Sequence, residues 1–542
     1  MVLYSSNSSH LLEFSRKTLA VILLVLLPSA LLIPAAIVIP RAGTYLGYSM
    51  EDFGLSLALI LMLPVMVVIP ALRRLYFSPA SEFRGPFLAR VSRLYEAYHV
   101  LIKDDWYENL KALHEEYGPV VRIGPHEVHI ADPEFCLDFH RRPDLLKCTN
   151  YYGLVNTVLG GLSDPYDHMQ RKAVIQPLFT GDTLARYSAG EMNFHLAALH
   201  EKLTEESIKS PGGETNLTFI LWALTNDIMT SYIFGKRMGY LAAPDLAAVH
   251  DSTRAYNAID LATVLRTMPP VKKLFDVLPC LREHSLIGDR LSRTSHGDSA
   301  TQNEKGSTSL LARLWRQLGG DTQLTTHEMA QAVFIGNESL LSNLTFLIHQ
   351  MIENPHCVKT LRAELDTLDV GAYGHQVWRD PKVLQLRYLD ALCRESTRLS
   401  SPGWHRQPRQ STEPVRYKDG LTIPAMVSIS FTPRMLEHDP ALFENPDAFM
   451  PERWLGNSQR VQTMRRNSVT FGTGARTCLG QFIARHVLKK VLVCMVYGFN
   501  ISALDASQDR VEGPRYINTY PKKGKAGYMK VRVTPRFATS DQ

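Results

Sequence analysis

The sequence has 542 residues, of which 45% are hydrophobic and 21% are charged, and this composition excludes a disordered, collagen-like or low-complexity chain. The net charge of +6 is small for this length and gives no reason to expect a nucleic-acid partner. The seven cysteines are scattered without a Cys-x-x-Cys pair, which argues against a zinc ribbon or a disulfide framework and is typical of a reducing compartment.

Two long uncharged segments lie near the amino terminus, at about residues 19–39 and 53–72. Each reaches roughly 30 Å as a helix, the thickness of the hydrocarbon core of a bilayer. We therefore predict a two-span membrane anchor over residues 1–82. A cleaved signal peptide is the alternative for the first segment, but its apolar stretch is too long for one.

Basic residues flank the two spans on one side of the membrane: Arg16, Lys17, Arg73 and Arg74. Because such residues favour the cytosolic side, we expect both ends of the chain in the cytosol. The remainder, residues 83–542, would then face the cytosol from a membrane in contact with its lipid, with the endoplasmic reticulum as the expected location.

In residues 83–542 the apolar positions recur mostly at helical spacing, which predicts a mainly α-helical domain with small β-sheets. The longest helix is expected to begin at a capping box, Thr325–Glu328, and to end near Glu353, a length of ~28 residues or ~42 Å. Short extended segments are expected at Val120–Ile123, Glu127–Ile130, Val415–Tyr417 and Tyr528–Val533.

Cys478 is distinguished by its neighbours, although an isolated cysteine is usually a small buried hydrophobe. Gly474 and Gly480 bracket it, so the backbone of a tight loop can approach a flat ligand closely. Arg476 offers a guanidinium that can pair with a carboxylate. The segment after the loop is expected to be helical, and the positive end of its dipole should lower the thiol pKa. Together with the aromatic Phe471, these features suit axial ligation of heme iron.

Residues 471–480 match, at every fixed position, the heme-binding pattern Phe-x-x-Gly-x-Arg-x-Cys-x-Gly of cytochrome P-450, and the chain resembles that family from about residue 83 onward. The resemblance implies the cytochrome P-450 fold for residues 83–542, as a heme-thiolate catalytic domain. It also implies a heme b whose iron is axially ligated by Cys478. The other residues of the pattern that would bind the heme are Phe471, Gly474, Arg476 and Gly480.

Further landmarks follow in the family's order. Glu395 and Arg398, spaced so that they share one helical face, resemble the family's Glu-x-x-Arg pair, for which a solvated surface pair is the alternative. Phe449–Trp454 resembles the family's Pro-Glu-Arg signature. Its arginine, Arg453, would join the pair and hold the loop that leads to the cysteine, as a structural network.

Propionate contacts are implied at positions that depart from the family pattern. His168 and Lys172 stand where the family often has Trp-x-x-x-Arg against a heme propionate. Arg409 stands where a propionate-binding arginine commonly lies, and Arg406 is a nearby rival. A surface position for either arginine is the alternative.

Phe334–Leu340, within the long helix, resembles the family segment that bends over the distal face of the heme. In that segment a glycine leaves room for dioxygen, while an acid and an alcohol carry protons toward it so that the O–O bond breaks. The resemblance assigns these catalytic roles to Gly336, Glu338 and Ser339.

Three departures from the family pattern bear on this chemistry. Ser339 replaces the usual threonine and keeps the hydroxyl, although it lacks the methyl group that fixes the rotamer. Leu340 replaces a second hydroxyl residue, and Ile335 is bulkier than the usual small residue. Oxygen activation stays the leading hypothesis, while a family member that rearranges a peroxide would not need this proton relay.

The resemblance implies a membrane-bound monooxygenase that places one oxygen atom of O₂ into an apolar small molecule, in the manner of fungal enzymes of secondary metabolism. The chain that follows Cys478 is too short for a fused flavin domain, so electrons are expected from NADPH through a separate NADPH–cytochrome P-450 reductase. Arg485, Lys489 and Lys490 could meet that partner's acidic surface, or could simply form a solvated helix face.

Substrate contacts are expected from Tyr151 to Gly161, between Gly239 and Leu278, and near Phe334. Two alternative functions stay open at this point. One is an isomerase or dehydratase of the same fold that needs neither NADPH nor O₂. The other is a non-catalytic heme-thiolate binder.

Overall fold

The computed structural model describes residues 68–103, 105–152, 158–209, 212–248, 310–368, 374–400, 406–504 and 529–537. The first predicted membrane span and most of the second lie outside these residues, so the two-span anchor stays a prediction. Residues 68–76, which include the end of the second predicted span, are helical.

Helices make up most of the described residues, which confirms the prediction of a mainly α-helical chain with small sheets. The α-helices are α1 Phe87–Val91, α2 Leu94–Tyr98, α3 Trp106–Tyr117, α4 Pro133–Arg141, α5 Thr149–Tyr152, α6 Pro165–Ile175, α7 Gly181–Ala189, α8 Glu191–Lys209, α9 Leu217–Phe234, α10 Leu310–Gln317, α11 Thr322–Glu353, α12 Pro355–Leu365, α13 Arg387–Ser400, α14 Pro433–Glu437, α15 Gln459–Asn467 and α16 Gln481–Gly498. The strands are β1 Val120–Gly124, β2 Glu127–Ile130, β3 Leu146–Lys147, β4 Glu214–Asn216, β5 Arg409–Gln410, β6 Val415–Arg416, β7 Thr422–Ile423, β8 Ser428–Ser430, β9 Phe499–Ala503 and β10 Lys530–Pro535.

The described residues divide into two compact units. The first contains residues 68–132 and 408–431, and therefore α1–α3 with β1, β2 and β5–β8. The second contains the other described residues, with α4–α16 and the remaining strands.

In the first unit, β2 lies between β1 and β8. It runs antiparallel to β1, with Val120 opposite Ile130, and parallel to β8, with Val128 opposite Ile429. β5 pairs antiparallel with the other edge of β8, where Arg409 lies opposite Ile429. β6 and β7 form a separate antiparallel pair. Each extended segment expected from the sequence overlaps a strand, although β1 and β10 continue past the expected ends at Ile123 and Val533.

The second unit is built around α8, α9, α11 and α16, which pack against one another. Leu196 of α8, Leu224 of α9, Leu344 of α11 and Leu492 of α16 are all fully buried. An antiparallel sheet in the order β4–β10–β9 lies in the same unit. The apolar faces of these helices therefore form one core, from which α11 and α16 carry residues to the site.

α9 is long and apolar enough to cross a membrane, with 18 residues and a mean hydropathy of 1.2, but 83% of it is buried inside the protein. No other helix of the described residues meets these two criteria. A helix that is apolar all round is buried all round, and we interpret α9 as a core helix of the second unit.

α11 has 32 residues and begins before the capping box that the sequence suggests. Its N-cap is Asp321, whose Oδ1 accepts a hydrogen bond from the backbone N–H of Leu324 at 2.9 Å. Thr325 lies one turn into the helix, and its hydroxyl donates to the carbonyl of Asp321 at 2.6 Å. The predicted start at Thr325 is therefore wrong by about one turn, whereas the predicted end at Glu353 is confirmed.

Candidate active site

A cleft in the second unit is lined by the middle turns of α11 and by the loop that carries Cys478. Its volume is about 260 Å³, close to the lower end of the ~300–1,000 Å³ common for small-molecule sites. Its apolar lining includes Phe179, Met229, Met329, Ala332, Ile335 and Leu340.

Cys478 is exposed to this cleft. Its backbone N–H donates to the carbonyl of Phe471 at 2.8 Å, which closes the loop. Although the residue faces the open cleft, the atoms packed around its side chain keep water from the thiol and raise the pKa of Cys478. The N–H groups of Gly480 and Gln481 and the charge of Lys172 act in the opposite direction but are outweighed. The predicted lowering of the thiol pKa is therefore wrong, although the helix start expected to cause it is present. Coordination to a metal ion deprotonates a thiol directly.

The glycines of the loop have different requirements. Gly474 has a φ of +65°, and a Cβ atom there would lie 2.9 Å from the Cα of Arg141, so only glycine fits. Gly480 has an ordinary φ of −76°, and a Cβ atom there would lie 3.8 Å from the Sγ of Cys478. The protein itself therefore requires glycine at position 474, while a requirement at position 480 would come from a bound ligand.

Arg476 and Lys172 both line the cleft, and both donate to backbone carbonyls. The guanidinium of Arg476 donates to the carbonyl of Leu162 at 2.7 Å and to that of Ser163 at 2.9 Å. Nζ of Lys172 donates to the carbonyl of Ala475 at 2.6 Å. Burial lowers the pKa of Lys172. These contacts hold the cysteine loop against α6 and the segment before it, and the propionate contacts remain predictions.

The other candidate propionate partners occupy different places. His168 is buried and lines the cleft. Arg409 belongs to the first unit, where it is buried and donates to the carbonyl of Pro408 at 3.0 Å, and its role toward a heme stays a prediction. Arg406 is buried in the second unit with its guanidinium 4.7 Å from the ring centre of Tyr151. Neither arginine has the surface position that was the alternative.

α11 brings two of the three predicted distal residues to the cleft. Gly336 and Ser339 line it one turn apart, and the hydroxyl of Ser339 donates to the carbonyl of Gly336 at 3.2 Å. A Cβ atom on Gly336 would overlap the terminal methyl group of Met229 in α9. Ile335 lines the cleft and is exposed to it. Glu338 is buried and is not among the described residues that line the cleft, because neighbouring helical residues point about 100° apart.

The carboxylate of Glu395 lies at the centre of a buried network. Nε and Nη2 of Arg398 donate to its two oxygens at 3.0 and 2.8 Å. Nε of Arg453 donates to Oε1 at 3.0 Å, and the backbone N–H of Met450 at 3.1 Å. Nε1 of Trp454 donates to Oε2 at 2.8 Å. Glu395 and Arg398 are fully buried, which excludes the solvated surface pair.

Glu437 connects this network to the cysteine loop. Nη1 of Arg398 donates to the backbone carbonyl of Glu437 at 2.7 Å. The carboxylate of Glu437 accepts from the N–H of Val469 at 2.6 Å and from the hydroxyl of Thr470 at 3.1 Å. Burial raises the pKa of Glu437. A chain of hydrogen bonds thus runs from Arg398 to the residue before Phe471, and no sequence motif indicated Glu437.

Sequence reasoning also missed Glu328, a buried carboxylate that lines the cleft. Its two oxygens accept from the backbone N–H of Leu159 at 2.9 and 3.0 Å. Nη1 of Arg171 donates to Oε1 at 2.7 Å. Burial raises the pKa of Glu328. It ties the segment around Leu159 to α11, and only a contact between residues distant in sequence could have indicated it.

Lys489 and Lys490 of α16 are buried, so neither a partner surface nor a solvated helix face describes them. Nζ of Lys489 donates to the carbonyl of Leu384 and pairs with Asp390, each at 2.8 Å. Nζ of Lys490 donates to the carbonyl of Ser188 at 2.7 Å, and burial lowers its pKa to about 8. Both ammonium groups join parts of the second unit.

The family model described as Cytochrome P450 matches residues 90–526, which include the cleft, the cysteine loop and the Glu395 network. The chain belongs to the cytochrome P450 family. It is 28% identical to the cytochrome P450 monooxygenase oblB of Cochliobolus heterostrophus, over 78% of this chain and 85% of the relative. It is 26% identical to the tryptophan 6-hydroxylase fscE of Fusarium equiseti, over 86% and 94% respectively. It is 25% identical to the N-acetyltryptophan 6-hydroxylase ivoC of Emericella nidulans, over 87% and 96%.

These similarities confirm the predicted class, a cytochrome P450 monooxygenase related to fungal enzymes of secondary metabolism. The family carries a heme ligated by a cysteine thiolate. The cleft fits that group, because it offers a thiol, a largely apolar lining and the basic residues His168, Lys172 and Arg476. An apolar macrocycle with two carboxylates matches this set of side chains.

Proposed function

We propose that this cytochrome P450 inserts one oxygen atom from O₂ into an apolar small molecule at the cleft between α11 and the Cys478 loop. The observation that carries the proposal is that Cys478, Gly336 and Ser339 line one cleft whose remaining wall is mostly apolar. A thiol for the metal, space beside it and a hydroxyl are thereby brought to a single place.

In this proposal Cys478 would hold the iron of a bound heme through its thiolate, while Arg476, Lys172 and His168 would bind the propionates. Phe471, Gly474 and Gly480 would shape the loop against the cofactor. When bound, the heme supplies the activation of O₂ that oxygenates the substrate and reduces the second oxygen atom to water.

Protons reach the oxygen site through the hydroxyl of Ser339. The hydroxyl of Ser339 lines the cleft, whereas Glu338 is buried outside it. In this proposal Ser339 donates the proton at the site, and Glu338 supplies protons to Ser339. Gly336 leaves the space that a side chain would fill. The apolar residues around Met229 and Ile335 hold the substrate and exclude water from it.

Electrons are proposed to come from NADPH through a separate reductase on the same membrane. Support for a membrane location comes from residues 68–88 of the first unit as well as from the uncharged segments before them. Large apolar side chains are exposed there, namely Val68, Ile69, Leu72, Tyr76, Phe77, Phe87 and Leu88. Seven exposed large apolar side chains within one stretch of 21 residues favour a membrane or protein interface. We propose that residues 1–82 anchor the catalytic domain, residues 83–542, on the cytosolic face of the endoplasmic reticulum.

The first test uses the full chain reconstituted in lipid with an NADPH–cytochrome P450 reductase. We expect a carbon monoxide difference spectrum typical of thiolate-ligated heme, absent in Cys478→Ser and retained in Cys494→Ser, which changes a buried cysteine of α16 that does not line the cleft. The same spectrum in Cys478→Ser would show that Cys478 does not ligate the heme iron.

The second test identifies the reaction. Metabolites from the source organism are compared with and without the gene, and the accumulating precursor is supplied to the reconstituted enzyme under ¹⁸O₂. We expect consumption of NADPH and a product heavier by one labelled oxygen. Turnover without NADPH and O₂ would instead support an isomerase or dehydratase. Heme binding without any turnover would support a non-catalytic heme-thiolate binder.

A further inference from the structure

A second group of metal-ligating side chains lies outside the residues that line the cleft, at the start of α12. His356 and Cys357 are the second and third residues of α12, and Glu452 lies in the 3₁₀ turn Pro451–Trp454. Nε2 of His356 lies 3.4 Å from Sγ of Cys357. The ligand atoms of all three side chains lie within 4.8 Å of one another.

These distances are close to those of a tetrahedral zinc site. A thiolate sulfur at ~2.3 Å and an imidazole nitrogen at ~2.0–2.1 Å from one zinc ion are about 3.5 Å apart when the angle at the metal is tetrahedral. The separation of 3.4 Å between His356 and Cys357 therefore needs almost no adjustment. The carboxylate oxygen of Glu452 lies within 4.8 Å of both other ligand atoms, so a small movement of its exposed side chain closes the remaining gap.

The chemistry of the three ligands also selects the ion. A thiolate, an imidazole and a carboxylate are the side chains that bind Zn²⁺, whereas Mg²⁺ and Ca²⁺ prefer oxygen alone. One thiolate and one carboxylate together neutralise a divalent ion. Cys357 is fully buried while His356 and Glu452 are exposed, so the ion can arrive from solvent and be held against the protein.

The surroundings orient one ligand. The hydroxyl of Tyr388 donates to Oε1 of Glu452 at 2.9 Å, the kind of outer contact that fixes a carboxylate beside a metal. α13 is already joined to α12, since the carboxylate of Glu364 accepts from the N–H groups of Tyr388 and Leu389 at 2.8 and 3.0 Å, and the Tyr388 hydroxyl joins α13 to the Pro451–Trp454 turn.

We propose that His356, Cys357 and Glu452 bind one Zn²⁺ ion, with water in the fourth position and release of the thiol proton to solvent. The ion links α12 to the turn that contains Arg453 and Trp454, whose side chains donate to Glu395. Zinc therefore stabilises the network beneath the cysteine loop without entering the cleft.

The test uses the purified full-length heme-bound enzyme, equilibrated with ZnCl₂ and dialysed, with zinc and iron measured by mass spectrometry. We expect one zinc per heme in the wild type, and zinc lost in Cys357→Ser, His356→Gln and Glu452→Gln. Cys494→Ser, which changes a buried cysteine far along α16, should keep its zinc. Zinc K-edge absorption of the wild type should show one sulfur ligand.

Because Cys357 is buried, Cys357→Ser could fold poorly, so its heme content is checked and the exposed variants Glu452→Gln and His356→Gln carry the test. A wild type that retains no zinc would overturn the proposal. So would zinc retained at the wild-type level in both exposed variants, or a zinc spectrum without sulfur. Added ZnCl₂ should raise the melting temperature of the wild type and of Cys494→Ser but not of Glu452→Gln.

Discussion

The indole Nε1 of Trp454 donates to the carboxylate of Glu395 at 2.8 Å, where both side chains are buried. A buried carboxylate is stable only when its charge is paired and its oxygens are hydrogen-bonded. Trp454 supplies a neutral donor that the two arginines cannot replace, since their donors already reach Glu395 and nearby carbonyls. The tryptophan next to Arg453 is therefore part of the network.

We expect Glu395→Ala to prevent stable heme incorporation. The change leaves the fully buried guanidinium of Arg398 without its carboxylate, and breaking such a pair costs ~3–5 kcal/mol. Heme content per protein and the carbon monoxide difference spectrum are the measurements.

Trp454→Phe removes one hydrogen bond to Glu395, which costs ~1–3 kcal/mol. This variant should still bind heme, but its melting temperature should be lower than that of the wild type. Glu108→Ala, on the exposed face of α3, is the control, and normal heme content in Glu395→Ala would refute the prediction.

Ser339→Ala should uncouple NADPH consumption from product formation. The hydroxyl lines the cleft and is the group proposed to pass a proton to the oxygen site. We expect the amount of hydrogen peroxide released per NADPH to rise several-fold, because a positioned general acid typically contributes ~10²–10⁴-fold to the rate of its step. Heme binding should be unchanged. Ser339→Thr retains the hydroxyl and is the matched variant. Equal coupling in all three proteins would mean that the reaction needs no proton from this residue.

Gly336→Ala should change the shape of the cleft through Met229. The new Cβ overlaps the terminal methyl group of Met229, the flexible end of its side chain, which must move. Overpacking of this kind costs ~1–3 kcal/mol. We expect a lower melting temperature and slower carbon monoxide binding to the reduced heme. Adding Met229→Ala should recover part of both, and additive effects of the two changes would contradict the contact.

Acid should destabilise the enzyme partly through His486 of α16. Burial, with the charges of Lys490 and Lys489, lowers the pKa of His486 from the ordinary 6.5 to about 4. Between these pH values the unfolded chain binds a proton at His486 that the folded chain does not. The contribution of neutral His486 to the free energy of unfolding is therefore complete above pH 6.5 and is lost as the pH falls toward 4. The loss between pH 7 and pH 5 is about 1–2 kcal/mol.

We expect His486→Gln to show a smaller fall in melting temperature from pH 7 to pH 5 than the wild type. His375→Gln, at an exposed position, should behave as the wild type does. An unchanged pH dependence in His486→Gln would show that the acid sensitivity lies in other groups.

Local patterns were sufficient for the cysteine loop and for the helical class of the chain. The pattern Phe471–Gly480 and the pair Glu395–Arg398 each consist of residues close together in sequence. In the structure Arg398 donates to Glu395, and residues of the loop line the cleft together. What spacing could not supply is the set of partners that comes from elsewhere in the chain. The carboxylate of Glu328 accepts a hydrogen bond from the N–H of Leu159, and that of Glu437 accepts one from the N–H of Val469. Both bonds join residues far apart in sequence.

Burial was the second quantity that patterns did not provide. Lys489 and Lys490 look like a solvated pair in the sequence, yet their ammonium groups satisfy backbone carbonyls inside the second unit. Likewise the sequence placed Glu338 beside Ser339 as one relay, while the helix directs only the serine to the cleft. For Cys478, burial outweighs the helix start in setting the thiol pKa.

The apolar character of α9 has a consequence for biosynthesis. A segment of bilayer length that is synthesised beside a membrane can enter the lipid instead of the growing fold. Asp227, near the middle of α9, opposes this outcome, because an aspartate at the centre of a spanning helix costs ~2.5–3.5 kcal/mol. In the folded chain its oxygens accept from the N–H groups of Tyr240 and Leu241, each at 2.9 Å. One carboxylate thus penalises misinsertion and has its partners only once the helix is packed.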